Sequence, residues 1–269
     1  MHQNRYFLGG NTAEGFYSCY PYFCPPEKDQ FLFVIKGGPG CGKSSFMRKI
    51  GNAAEKKGYA VEYVLCSGDP DSLDGVYLPQ LKLGYMDGTA PHTADVPYPA
   101  IHGAYLDLGQ YYDLDAMKCN REKARDLFTG YKACYADAYR HLAGFSPADC
   151  GDKADRNRPA RFLSAITCLG IVSHATDDLT EVSHAELEEL SAKKDAVLIL
   201  HPLWPRKTVG VQIADRIYMT AYEIPNCEDA IHALHKAKQI HDDLEQLYNP
   251  HVDFESVYAL ADKHIQKYL

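Results

Sequence analysis

The sequence lacks long apolar segments. In its 269 residues the longest apolar runs, at 31–35 and 196–200, are far shorter than the roughly 20 residues that a membrane-spanning helix needs. The first ten residues contain no extended apolar stretch, so we expect no signal peptide and no membrane association.

Paired cysteine motifs and an excess of positive charge are also missing. The nine cysteines are scattered and none forms a CxxC pair, which argues against a disulfide framework and against a zinc site. We therefore expect reduced thiols in a cytoplasmic protein. The net charge of −8 makes nucleic acid an unlikely partner, whereas a protein partner or a homo-oligomer stays possible.

The pattern of apolar residues predicts an α/β protein with a mostly parallel β-sheet flanked by helices. The run at 31–35 is typical of a buried strand, and a helix is expected over 43–57, ending before Gly58. Further strands are predicted at 59–66, 81–86 and 196–200, and further helices within 113–141, 226–247 and 254–268. The polar segment 146–159 is the best candidate for a boundary.

Two blocks of sequence recur in the same order. Phe7, Leu8, Thr12, Gly15 and Ser18 recur 155 residues further on as Phe162, Leu163, Thr167, Gly170 and Ser173. Leu65, Pro70, Gly75 and Val76 recur 135 residues further on as Leu200, Pro205, Gly210 and Val211. This predicts a nucleotide-binding domain at 1–150 and, at 151–269, a degenerate repeat of the same unit with C-terminal helices.

One motif carries a specific chemistry. Gly37, Gly38, Pro39, Gly40, Cys41, Gly42, Lys43 and Ser44 match G-x-x-x-x-G-K-[ST], between a predicted strand and a predicted helix. Glycines let such a loop turn its N–H groups towards a phosphate, and the helix N-terminus adds a positive dipole. Lys43 is expected on the β- and γ-phosphates, Ser44 on Mg²⁺ and Ser45 on an α-phosphate oxygen.

This motif makes the chain resemble a P-loop NTPase. More narrowly, it resembles an uncharacterised bacterial family of ATPase-like proteins with tandem P-loop domains, of which the second copy here has lost its loop. The resemblance lies in 6–17 (YFLGGNTAEGFY), 35–47 (IKGGPGCGKSSFM), 66–75 (CSGDPDSLDG), 87–92 (DGTAPH), 240–248 (IHDDLEQLY) and 252–254 (VDF). It implies Mg²⁺–ATP as ligand, with ATP favoured over GTP, but no established reaction.

Carboxylates near this motif are candidates for the metal site and for catalysis. Asp87 follows the predicted strand 81–86 and is expected to complete the Mg²⁺ site, although an Asp-Gly turn explains it too. Asp69, Asp71 and Asp74 follow the strand 59–66 and could face the same site, or form a solvated turn. In the second copy, at the offset of 135, the four acids are replaced by Trp204, Arg206, Val209 and Tyr222.

Three functions compete on this basis. The first is an ATPase in which Lys43, Asp87 and Asp69 are the candidate catalytic residues. The second is a small-molecule kinase in which Asp69, Asp71 or Asp74 is the base for a substrate hydroxyl. The third is a non-catalytic module that needs only bound nucleotide. No arginine is singled out as a charge-stabilising finger among Arg5, Arg121, Arg125, Arg156, Arg158 and Arg161.

Overall fold

The computed structural model describes residues 4–25, 28–89, 95–145, 158–174 and 179–269. These residues form an α/β protein. Its strands β1–β15 are, in chain order, Asn4–Phe7, Gly9–Thr12, Gly15–Ser18, Phe31–Lys36, Glu62–Leu65, Leu73–Leu78, Leu83–Asp87, Gly103–Asp107, Ala160–Arg161, Ser164–Thr167, Gly170–Ser173, Leu179–Glu181, Val197–Leu200, Thr208–Ile213 and Arg216–Met219. Its α-helices α1–α6 are Lys43–Lys56, Leu114–Met117, Arg121–Ala143, His184–Ser191, Glu228–Tyr248 and Phe254–Tyr268.

The larger sheet is mixed. Its six strands follow the order β1-β5-β6-β7-β4-β8. β4 lies between β7 and β8 and is parallel to both, and β1 is parallel to β5. β6 is antiparallel to its two neighbours, β5 and β7. The α/β class is therefore as predicted, and the sheet that was predicted to be mostly parallel is a mixed one.

Strand β6 was expected to be a loop, because it begins with Leu73, Asp74 and Gly75. β6 has a bulge opposite Val64 and Leu65, where Asp74 is the extra residue, and a Cβ at the neighbouring Gly75 would lie 3.2 Å from Cγ2 of Val64. A glycine inside a strand marks such a close approach. Asp74 therefore lies in a strand, where it is only 3% exposed, and not in a solvated turn.

The second half of the chain repeats the pairing of the first. Its five-stranded sheet has the order β12-β15-β14-β13-β9. The bulge between Val64 and Leu65 recurs between Ile199 and Leu200, and Gly210 takes the place of Gly75. Because the β14–β15 connection is shorter, Met219 pairs with Gly210 as Met86 pairs with Gly75. Asp87 therefore corresponds to Thr220, and its assignment to Tyr222 from a uniform offset was wrong.

The two repeats meet at equivalent positions. The backbone N–H of Phe7 donates to the carbonyl of Phe162 at 2.9 Å, and the N–H of Phe162 donates to the carbonyl of Phe7 at 2.9 Å. Each repeat then forms a hairpin, β2–β3 or β10–β11. The hydroxyls of Thr12 and Thr167 make the same turn bond in each hairpin, at 2.8 Å and 2.9 Å. The repeat read from the sequence thus coincides with a repeat of structure.

One hydrophobic core extends across the two halves. Its buried residues include Phe7 and Ile35 from the first half and Phe162 and Ile199 from the second. The division at residue 150 stays a prediction, and most of the expected boundary, 146–157, lies outside the described residues. Helix α6 packs against α1 in the first half, although it ends the chain.

None of the helices in the described ranges has both the length and the apolar character that crossing a membrane requires.

His264 anchors α6 in this core. Its Nδ1 lies 3.1 Å from the hydroxyl of Tyr85, and its ring is 4.8 Å from that of Phe33 and 5.7 Å from that of Phe46. Burial lowers the pKa of His264 from 6.5 to about 4, because the charged imidazolium is poorly solvated there. Between pH 6.5 and pH 4, the unfolded chain therefore binds a proton on His264 that the folded chain does not bind.

We expect the free energy of unfolding to fall as the pH drops from 6.5 towards 4, because the unfolded state then binds the extra proton. At pH 5 the loss from His264 alone should be about 1–2 kcal/mol. His264→Gln, which does not titrate, should make the difference in unfolding free energy between pH 7 and pH 5 smaller in urea titrations. His232→Gln, at an exposed position of α5, is the control. An unchanged pH dependence in His264→Gln would contradict this role.

Candidate functional site

A cleft of about 710 Å³ opens at the end of β4. One side is the glycine-rich loop, residues 37–42, which joins β4 to α1. Gly40 and Gly42 have φ angles of 64° and 87°, a backbone conformation that glycine adopts without strain. No side chain caps the N-terminus of α1, so its first N–H groups are open to an anion. Every residue predicted to bind the cofactor, from Gly37 to Ser45, lines the cleft.

Lys43 points back along the loop. Its Nζ donates to the carbonyl oxygens of Gly37 at 3.1 Å and Gly38 at 2.8 Å. It also lies 3.7 Å from Oδ2 of Asp87, and both side chains are nearly buried, at 12% and 13% exposed. The structure therefore brings together the lysine and the carboxylate that the sequence predicted from separate segments.

Asp87 and Ser44 are both fixed by hydrogen bonds. Oδ1 of Asp87 accepts from the backbone N–H of Thr89 at 2.8 Å and from its hydroxyl, which leaves Oδ2 towards Lys43. The Oγ of Ser44 accepts the backbone N–H of Leu73 at 2.9 Å. Carboxylate and hydroxyl oxygens are the hard donors that Mg²⁺ prefers, so this pair suits the predicted metal.

The other predicted carboxylates occupy three different environments. Asp69 lines the cleft, accepts from the hydroxyl of Ser72 at 3.1 Å and lies 3.5 Å from Nζ of Lys238. Asp74 is buried and accepts from the hydroxyl of Tyr20 at 2.5 Å. Asp71 also borders the cleft, and its carbonyl oxygen accepts from Arg48 at 2.5 Å. The three acids are therefore not equivalent, and the carboxylate of Asp69 forms an ion pair with a lysine.

Lys238 of α5 sits between two carboxylates. It forms an ion pair with Asp242 as well as with Asp69. Burial by itself would lower the pKa of Lys238, but the hydrogen bond that Lys238 donates to Asp242 and the charge of Asp69 outweigh it and raise that pKa. Lys238 is therefore a fixed positive charge at the wall of the cleft.

Two side chains hold the glycine-rich loop from outside. The hydroxyl of Tyr112 donates to the carbonyl of Pro39 at 2.7 Å. With its amide oriented so that Nδ2 faces the loop, Asn249 donates to the carbonyls of Gly40 at 2.7 Å and Glu245 at 3.2 Å. A Cβ at Gly40 would collide with the Asn249 side chain. Both contacts give a carbonyl oxygen of the loop a donor from another part of the chain.

Helices α3, α5 and α6 form the remaining wall. Its side chains are Phe128, Tyr131 and Tyr135 from α3, Lys238, His241, Leu244 and Glu245 from α5, and Phe254 and Tyr258 from α6. His241, Asp242 and Glu245 bring ligand atoms within 4.8 Å of one another, a spacing that a metal ion could use. Asp242 of this group is already paired with Lys238.

The corresponding place in the second repeat is filled by side chains. His201, which takes the position of Cys66, is buried, and its ring stacks on that of Trp204 at 4.6 Å. Nε1 of Trp204 donates to the carbonyl of Phe145 at 2.8 Å. Arg206 is bound to Glu14 through two hydrogen bonds of 2.6 Å and 3.0 Å. The loss of the acids therefore accompanies closure of the site.

Sequence reasoning missed Tyr112, Thr89, Lys238 and Asn249. Only the resemblance of segment 240–248 pointed towards this end of α5.

Among the arginines, Arg48 reaches the cleft and was not considered. Arg161 lies over the ring of Tyr6, 4.0 Å from its centroid, and Arg158 donates to backbone carbonyls. Arg156 and His92 lie outside the described residues.

We expect Asn249→Asp to weaken the loop, because a carboxylate cannot donate to the carbonyl of Gly40 and leaves it without that partner. The free energy of unfolding should fall by about 1–3 kcal/mol in denaturant titrations. Asn226→Asp is the matched control, because its side-chain oxygen accepts the N–H of Glu228 at 3.0 Å and a carboxylate can do the same. Equal stability of the two variants would contradict the assignment of Asn249.

The chain was compared with protein-family models, with curated proteins and with solved structures. None of the three comparisons gave a significant match. No family membership is therefore assigned, and the function proposed next rests on the residues and geometry of this chain alone.

Proposed function

We propose that this chain binds Mg²⁺–ATP in the cleft at the glycine-rich loop and hydrolyses it to ADP and phosphate. The observation that carries the proposal is that three groups from different parts of the fold lie at the same place. The uncapped N-terminus of α1, the ammonium of Lys43 and the carboxylate of Asp87 border one cleft. An open helix N-terminus and a lysine match a polyphosphate, and a carboxylate beside them matches its metal ion.

The roles follow from position. Backbone N–H groups of the loop and of the first turn of α1 bind phosphate oxygens, and Ser45 supplies a hydroxyl to the α-phosphate. Lys43 leaves its loop carbonyls for the β- and γ-phosphates, which offer a stronger, charge-assisted partner than a neutral carbonyl. Ser44 and Asp87 would hold Mg²⁺, which would supply positive charge beside the transferred phosphoryl group. Asp69 and Lys238 orient the water molecule or acceptor.

The first experiment measures binding of Mg²⁺–ATP and release of phosphate in the same samples of wild type and Lys43→Ala. We expect binding by the wild type, and at least tenfold weaker binding by the variant, because the charge that faces two phosphates is lost. Lys82→Ala, which removes an exposed lysine that does not line the cleft, controls for loss of charge in general. Failure of the wild type to bind ATP would refute the proposal.

Asp87→Asn should separate binding from turnover. The amide keeps the shape and can still bond Thr89, but it lacks the negative charge that holds Mg²⁺. We expect phosphate release to fall by about a hundredfold or more, while ATP still binds when Mg²⁺ is omitted. Asp71→Asn, at an exposed carboxylate by the same cleft, should retain turnover. Binding without turnover in the wild type would instead favour a nucleotide-dependent module without catalysis.

A small-molecule kinase is the second candidate, and the wall beyond Asp69 favours it. Tyr131 and Tyr135 enclose the cleft there, and Lys238 fixes the Asp69 carboxylate. A carboxylate in this place suits a base that accepts the proton of a substrate hydroxyl. Consumption of ATP that depends on added metabolites, and that is lost in Asp69→Asn, would identify a kinase. Turnover by the purified protein alone favours the ATPase.

A further inference from the structure

The cleft has two chemically different ends on either side of the glycine-rich loop. The end beside β5–β7 is acidic, with Asp69, Asp74 and Asp87. The other end lies beyond β8, the strand on the opposite side of β4. There the chain segment 111–113 is bound to the segment 249–254 by two backbone hydrogen bonds, from Asp113 to His251 at 2.8 Å and from Asp253 to Tyr111 at 2.9 Å.

The segment 249–254 leads into α6, whose first residues bring an aromatic pair to the mouth of the cleft. Phe254 and Tyr258 are one helical turn apart at the start of α6, with ring centroids 6.2 Å apart and planes tilted by 27°. Both rings line the cleft, and Tyr258 is 39% exposed. Phe254 lies next to the loop itself, because a Cβ at Gly42 would be 3.4 Å from its ring.

We infer that the Phe254–Tyr258 pair is the platform for the nucleobase. The inference rests on the proposed function, since it takes the phosphates to be in the glycine-rich loop. The metal-bound end of the triphosphate then points towards Asp87, and the base must leave the loop on the opposite side. On that side the cleft offers two aromatic rings, and rings stack on any base.

The neighbours of the pair fix its place without covering the cleft. Lys49 lies 5.6 Å from the ring centroid of Tyr258 and forms an ion pair with Asp262 at 2.8 Å. Asn249 is engaged with the loop carbonyl of Gly40. The side chains named at this end thus hold the rings and the loop in place, and none of their contacts reads the edge of a base. We therefore assign to this end affinity for a nucleobase and little discrimination between adenine and guanine.

The test compares a ligand that has a base with one that lacks it. Binding of Mg²⁺–ATP, Mg²⁺–GTP and Mg²⁺–tripolyphosphate is measured by calorimetry for wild type and for the double variant Phe254→Leu, Tyr258→Ala. Leucine keeps apolar bulk beside Gly42, so the loop retains a packing partner. We expect the double variant to bind ATP and GTP about tenfold more weakly, and to bind tripolyphosphate as the wild type does.

Two further variants control the chemistry. Tyr258→Phe keeps both rings and should bind ATP like the wild type, whereas Tyr98→Ala removes an exposed tyrosine that does not line this cleft. An unchanged affinity for ATP in the double variant would overturn the inference. So would a parallel loss for ATP and tripolyphosphate, because the rings would then act only through the loop.

The same titrations separate this inference from the function on which it rests. A wild type that binds tripolyphosphate as tightly as ATP retains its phosphate site and refutes the base platform alone. A wild type that binds none of the three ligands refutes both.

Discussion

The direction of the peptide groups in the glycine-rich loop is the constraint on which the candidate site depends. A loop that turns its N–H groups into a cleft must turn carbonyl oxygens outwards, and outward carbonyls that are buried need donors. Tyr112 and Asn249 supply them at Pro39 and Gly40. These donors come from distant parts of the chain, so the loop takes its form from tertiary structure as much as from its own glycines.

Two long helices, α3 and α5, connect the second repeat to the wall of the cleft. Towards one end of the pair, Leu142 of α3 and Leu234 of α5 are buried with Ile166 and Leu203 of the second repeat. Towards the other end, Tyr135 and His241 from the same two helices line the cleft. The second repeat, in which His201 and Trp204 fill the corresponding place, therefore supports the wall of the cleft in the first repeat.

Local patterns in the sequence predicted the elements that surround the glycine-rich loop. The strand β4, the helix α1 and the acid at the end of β7 follow from short apolar runs and from one motif, because their residue preferences are local. β6 escaped prediction because the glycine that its bulge requires is also typical of turns. Thr89, Tyr112, Lys238 and Asn249 escaped because ordinary polar residues acquire a role only through the neighbours that folding provides. The internal repeat was visible because Gly75 and Gly210 serve the same backbone geometry.

The position of α6 in the chain has a consequence for biosynthesis. A ribosome makes Asn249, Phe254 and Tyr258 more than 200 residues after the glycine-rich loop. The apolar surface of α1 and of the first sheet stays uncovered until α6 has been made, because His264 of α6 covers Phe33 and Phe46. The nascent chain therefore carries a loop without this wall until α5 and α6 have been made, and a product truncated before α5 lacks the side chains that these helices give to the cleft.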